Sequence, residues 1–232
     1  MPAQLIEIRR YPVKSMGGEA IEQIEVDARG LVGDRAYAVV DDEGRFAAGK
    51  DSRRFRRRDE VFHYAAATTP DGPVHVTRGG ASWPAGSREL DAELSTRFGD
   101  PVRVLPEQGV THFDAGSVSL VGTATLAWCE RELGIDADRR RLRVNLVVNT
   151  AEPFEEETWV GRDVEIGTAG GVGLTVVERV ERCRTIDLAQ DGLTTTTRWL
   201  RALGESRELC LAVYADVRRP GRVAVGDPVR PS

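Results

Sequence analysis

The chain has 232 residues, 41% of them hydrophobic, which suits one large domain or two small ones and excludes a disordered polymer. Its formal net charge is -5, so no basic excess points to a nucleic-acid partner. All but two of the 32 basic residues are arginine. That excess fits bidentate contacts with carboxylate or phosphate, and equally a compositional bias of the coding sequence.

No apolar run nears the roughly 20 residues of a membrane span, and the N-terminus lacks the basic-then-apolar pattern of a signal peptide. The expectation is a cytoplasmic protein with no membrane partner. Cys129, Cys183 and Cys210 are odd in number and irregularly spaced, fitting neither a disulfide framework nor a zinc site.

The N-terminal third reads as short strands: QLIEIRRYPV, IEQIEV and RAYAVVDDEGRF alternate or are rich in β-branched residues. A charge run from Ser52 to Arg58 leads into a weakly patterned region. There VHVTR reads as a strand, and Thr-Pro-Asp-Gly and Arg-Gly-Gly mark turns. Leu126, Ala127, Cys129, Glu130 and Leu133 recur at helical spacing, predicting a helix from about Gly122 to Gly134 with Cys129 facing the core. Strands return at LRVNLVVN, DVEIGTA, GLTVVERVERC, ELCLAVYADV and RVAVGDPVRP, with one more helix near Thr196 to Leu203. The sum is a mixed, β-dominated α+β protein of barrel or sandwich type.

Cys183 closes a strongly β-patterned run between Arg182 and Arg184, with Arg179 four residues earlier. Nearby guanidinium charge favours the thiolate, the form that ligates metal or attacks an electrophile; a small buried hydrophobe is the competing reading. Cys210 and Cys129 read as core residues. Lys14-Ser15 follows a strand, Asp34-Arg35 opens another and Arg143-Val144-Asn145 begins a third, the places where a β-scaffold presents groups to a phosphate-bearing ligand. On spacing alone solvated charges are the simpler reading. Glycines 167 to 173 read as a hairpin turn and Glu155, Glu156 and Glu157 as a solvated loop. His63, His75 and His112 lack metalloprotease spacing, and there is no phosphate loop or nucleophile elbow.

Together, YPVKS at 11 to 15, GLVGDRAYAVVDDEGRF at 30 to 46, LRVN at 142 to 145, ERCRTID at 181 to 187 and VYADVRRPGRVAVGDPV at 213 to 229 resemble, in order, the landmarks of MOSC-domain proteins. The resemblance covers nearly the whole chain. It implies an N-terminal β-barrel-like subdomain over residues 1 to 100, packed with a β-barrel MOSC domain over 101 to 232.

The pattern is closest to the branch containing the mitochondrial amidoxime-reducing component and its bacterial relatives, which reduce N-hydroxylated compounds. That resemblance implies the molybdenum cofactor, with the cysteine of the Arg182-Cys183 pair ligating the metal. It implies Lys14, Ser15 and Arg35 on the pterin and its phosphate, and Arg143, Asn145, Arg182 and Tyr214 as further cofactor contacts. Met16, Val144 and the shortened Arg184-Thr185 segment depart from the pattern, and the departures bear on the substrate more than on the cofactor. The implied activity is two-electron reduction of N-hydroxylated or N-oxide small molecules. With no flavin, haem or iron–sulfur motif in the chain, a separate ferredoxin-, haem- or flavin-type protein is expected to supply electrons. MOSC domains also occur in cofactor sulfurases, which leaves a Cys183 persulfide carrier and a non-catalytic cofactor carrier as alternatives.

Overall fold

The computed structural model describes residues 3–69, 72–168, 170–196 and 198–232. Parts of three expected features fall outside them: the centre of the Thr-Pro-Asp-Gly turn, Ala169 of the glycine-rich hairpin, and Thr197 of the last helix. The first half contributes β1 (Ala3–Arg10), β2 (Glu19–Ile21), β3 (Gln23–Asp27), β4 (Gly30–Leu31), β5 (Tyr37–Asp41), β6 (Phe46–Ala48) and β7 (Phe55–Arg57). There follow β8 (Ala65–Thr68), β9 (Val74–Arg78), β10 (Ala81–Pro84), helix α1 (Arg88–Phe98) and β11 (Val102–Pro106). The second half has β12 (Val118–Gly122), α2 (Thr123–Leu133), β13 (Leu146–Val148), β14 (Asp163–Ile166), β15 (Val172–Glu181), α3 (Trp199–Ser206), β16 (Cys210–Arg219), β17 (Gly221–Ala224) and β18 (Pro228–Pro231).

Seven strands close a barrel in the order β13-β12-β16-β15-β14-β18-β1, with β1 returning to pair with β13. Closure removes exposed strand edges and lets alternate residues fill the interior. Leu5, Ile8, Leu120, Leu146, Val148, Leu174, Val176 and Val213 do so, each at most 2% exposed. The β12–β13 pair is parallel because α2 provides the crossover between them, and the other barrel pairs are antiparallel. The chain therefore forms the expected mixed, β-dominated α+β class, with strands in each run read as β, while β4, β7, β8, β10, β11, β12 and α1 were not anticipated.

A second core lies under the sheet β11-β5-β6-β7 and the meander β10-β9-β8, where Val39, Phe62, Tyr64, Val76, Leu90, Leu94 and Val104 pack together. Helix α1 covers it. Ser87 caps the helix by accepting from the Leu90 N–H at 3.2 Å, and Gly99 ends it at φ 71°.

Helix α2 stops at Gly134, φ 61°, with Cys129 fully buried as expected. Helix α3 begins three residues later than the sequence pattern placed it. The Asp187 carboxylate accepts from the N–H groups of Trp199 and Leu200, and that cap sets the start. Cys210 is half-buried rather than in the core. Glu156 is completely buried instead of solvated, accepting from the Thr125 hydroxyl at 2.9 Å beneath the start of α2. Among the described residues no helix is long and apolar enough to cross a membrane.

Candidate functional site

The barrel and the smaller β5–β6 sheet face one another across a cleft, and loops at strand ends form both walls. On the small-sheet side, Lys14 and Ser15 follow β1, Arg35 precedes β5, and Gly49 and Lys50 follow β6. On the barrel side, Arg141 and Arg143 precede β13, Arg182 and Cys183 follow β15, and Ser119 and Tyr214 look in from β12 and β16. Six cationic side chains (Lys14, Arg35, Lys50, Arg141, Arg143, Arg182) line the space against two carboxylates, Asp114 and Glu181. Such a lining favours an anion.

The backbone is bent to build this wall. Ser15, Arg35 and Arg143 all hold left-handed φ values, 68°, 49° and 54°. Each costs about 1–2 kcal/mol in a non-glycine residue, strain that persists only where the surrounding structure enforces it. The Arg35 amide reaches back to the Tyr11 carbonyl at 2.7 Å, and the Val13–Tyr37 bridge ties the Lys14 turn to β5.

Lys14 is 4% exposed. Its Nζ donates to the His112 carbonyl at 2.6 Å, pairs with Asp114 at 3.2 Å and lies 5.0 Å from the centre of the Phe55 ring. Burial pushes the ammonium down to about 8, with Asp114 pulling the other way. Burial alone would raise the Asp114 carboxyl, but Lys14 outweighs it and holds that pKa below the usual carboxylate value. His112 ties the region together: its ring contacts the Arg35 carbonyl at 2.9 Å and its N–H donates to Glu107 at 2.8 Å.

Arg35 is stacked 4.9 Å from the Tyr11 ring centre, pairs with Asp34 and donates to the Arg143 carbonyl at 3.1 Å. Arg143 lies on the same ring at 4.5 Å and donates through Nη2 to the Met16 carbonyl at 2.7 Å. Its Nη1 is buried with no partner among the described residues, and burial pushes its pKa down. An unsatisfied buried guanidinium nitrogen is costly unless an acceptor reaches it.

Cys183 is exposed, and its Sγ donates to Thr185 Oγ1 at 3.3 Å at the head of a short 3-10 turn. Arg184 straps that turn to the opposite wall by donating to the Gly49 carbonyl at 2.8 Å and pairing with Asp59 at 2.6 Å. Gly49 has no room for a side chain: a Cβ there would lie 2.6 Å from Thr185 Oγ1.

Of the residues singled out in the sequence, Lys14, Ser15, Arg35, Arg143, Arg182, Cys183 and Tyr214 meet in this cleft. The structure uses them differently. Ser15 donates its hydroxyl to the Ala47 carbonyl at 2.9 Å, and burial raises the Tyr214 phenol. The Arg182 guanidinium is spent on the carbonyls of Leu211 and Leu142, at 2.6 and 2.8 Å, and so holds β16 and the Arg143 loop in place. Asn145 does not line the cleft. It sits beneath it at 2% exposure, donating to Asp34 Oδ2 at 3.1 Å and accepting from the Ser119 hydroxyl at 3.1 Å.

Asp114, Thr185, Arg141 and Gly49 were not anticipated. Thr185 was inside the quoted ERCRTID run, and Asp114 stands four residues before an apolar strand, but neither spacing carries a chemical signature.

Among the described residues no group of three or more His, Cys, Asp or Glu side chains is placed to hold a bare metal ion. One exposed thiol beside a cation-lined cleft with a free guanidinium nitrogen instead fits a metal carried on an anionic organic ligand.

A family model described as the MOSC domain matches residues 94–230, and one described as the MOSC N-terminal beta barrel domain matches residues 2–84. Among solved structures, the YuaD protein from Bacillus subtilis is 13% identical, with a TM-score of 0.51 over 99% of this chain and 94% of that one. That likeness is one of fold. YiiM from Geobacillus stearothermophilus is 11% identical, with a TM-score of 0.38 over 74% of each chain. No curated protein matches the sequence.

Proposed function

Because the chain belongs to the MOSC domain family, which is associated with molybdenum-cofactor binding, we propose that its cleft holds that cofactor with Cys183 Sγ as a ligand of the metal, and that it reduces N-hydroxylated or N-oxide small molecules. The observation that carries this is the pairing of the exposed Cys183 thiol with the buried, unpartnered Arg143 Nη1 in one cation-lined cleft.

When bound, the cofactor supplies two-electron redox chemistry. The chain's residues do the rest. Arg143 Nη1 and Lys14 Nζ hold the anionic groups, and the Thr185 hydroxyl lies against Cys183 Sγ and fixes its direction. The Arg184 strap keeps the two walls at a set separation, and Arg182 braces the barrel wall. Because Cys183 and Asp114 are both exposed, substrate and protons reach the reacting end from solvent. The net change breaks the substrate's N–O bond, takes up two electrons and two protons, and releases the oxygen as water.

Loaded protein supplied with reduced viologen is expected to consume benzamidoxime, and Cys183→Ser with equal cofactor content is expected to be inactive. Equal rates in the two proteins remove the ligand assignment; no turnover by fully loaded protein across several N-hydroxylated and N-oxide compounds leaves a cofactor carrier. A second reading, sulfur transfer through a Cys183 persulfide, is favoured by the exposure of that thiol. Cyanide-labile sulfur on the parent protein and none on Cys183→Ser would select it.

A further inference from the structure

Residues 50 to 58 concentrate positive charge. Lys50, Arg53, Arg54, Arg56, Arg57 and Arg58 stand against Asp51 alone, a formal +5 within a chain of -5, so everything else carries -10. The fold sets the start of this segment at the cleft. Lys50 lines the cleft, and the Arg184 strap beside Cys183 lands on Gly49 and on Asp59, at the two ends of the segment.

Within it the cations divide. Arg54 lies over the Phe46 and Phe55 rings and donates to the Thr111 carbonyl at 2.6 Å, while Arg57 pairs with Asp59 and Arg58 with Asp100. Lys50, Arg53 and Arg56 are exposed, and among the described residues none has an acidic partner. Arg56 stands on β7, an edge strand that pairs with β6 alone.

We propose that this segment, with Lys50 at the cleft and Arg53 and Arg56 exposed further along it, docks an acidic one-electron carrier protein that reduces the redox centre. The inference rests on the reductase reading above. A compact acidic protein fits the face better than a nucleic acid does. A long polyanion would also meet the negative charge of the remaining surface, and the segment offers no ring for base stacking because Phe55 is buried. Opposite charge at the mouth speeds encounter and orients the partner toward the cleft. Each docked carrier is oxidised by one electron. Two such events supply the pair that, with two protons from solvent, converts N–OH to N–H and water.

The test compares cofactor-loaded full-length protein with Arg53→Glu/Arg56→Glu, and with Arg131→Glu/Arg222→Glu, which changes net charge equally at exposed sites outside the cleft and rim. Each is driven either by a reduced acidic [2Fe–2S] ferredoxin or by reduced methyl viologen. The rim variant is expected to lose at least about 10-fold in ferredoxin-driven kcat/KM at low salt, while its viologen-driven rate and both rates of the control variant stay within about threefold of the parent. High salt should bring the parent down to the rim variant's level.

A rim variant that keeps its ferredoxin rate, or a control that loses as much, overturns the docking face. So does a parent active with viologen but unable to take electrons from ferredoxin or an acidic flavodoxin. Tighter binding of a single-stranded oligonucleotide than of ferredoxin, lost in the rim variant, overturns it in favour of nucleic acid. The viologen arm reads the reductase activity by itself: its failure in loaded parent protein refutes that reading, and the carrier assignment with it.

Discussion

Raising the pH should loosen the cleft's hold on an anion, and Lys14 sets by how much. Burial pushes its ammonium down to about 8 from an ordinary 10.5. An anion placed beside Nζ favours the charged form and returns the pKa toward the ordinary value. Between the two values the empty protein has released a proton that the complex retains, so affinity falls about tenfold per pH unit. Full restoration spans about 2.5 pH units, a loss of roughly 300-fold or ~3 kcal/mol.

The stability of the empty protein moves the other way. Its folded pKa lies below the unfolded one, so the cost of burying the charge is fully present below pH 8 and is relieved as the pH rises toward 10.5. The assay is pterin retained after dialysis at a series of pH values from about 7 to 9.5, for parent and Lys14→Met, the range in which Lys14 titrates in the empty cleft. The parent should be flat to about pH 8 and then fall, and Lys14→Met should be weaker and flat. A flat parent curve, or an equal slope in the variant, would refute the reasoning.

The remaining expectations concern the cleft walls. Gly49→Ala must displace Thr185, whose hydroxyl a Cβ would meet at 2.6 Å. Its thermal stability should fall by no more than about 1–3 kcal/mol, while its molybdenum-to-protein ratio drops. Arg143→Ala removes the free Nη1 donor and should weaken cofactor retention by about 10- to 100-fold, and Arg143→Lys should not restore it because a point charge cannot replace the guanidinium fork. Arg29 and the His112 N–H hold the Glu107 carboxyl down at about 2, so its contribution is present above pH 4.5 and is lost as the pH falls toward 2. Glu107→Gln should therefore cost about 1–2 kcal/mol in urea unfolding at neutral pH and nothing near pH 2.

Most of the barrel was legible because its runs alternate or are rich in β-branched residues, although β12, buried along its whole length, was not read; α2 was legible because an apolar stripe ends at a glycine able to take φ 61°. Helix α1 carried the same signals in Ser87 and Gly99, but its apolar stripe is reduced to Leu90 and Leu94 between charged residues. In the site, spacing alone made the motif residues legible only singly, and the family resemblance was what grouped them on one ligand. On spacing alone Lys14 read as a solvated charge because the groups that bury it, Phe55 and the His112 carbonyl, lie 41 and 98 positions away. Asn145 was grouped with Arg143 because the two are neighbours in sequence. The left-handed turn at Arg143 sends one into the cleft and the other under it. Glu156 read as solvent-facing because its partner Thr125 is 31 residues away, across the end of the barrel.

The central claim, that Cys183 binds the metal, is tested most directly by molybdenum K-edge X-ray absorption on parent and Cys183→Ser proteins matched for pterin content. One fewer sulfur neighbour of the metal is expected in the variant, replaced by a lighter atom, with the pterin's own sulfurs unchanged. Identical sulfur shells in the two proteins would contradict it.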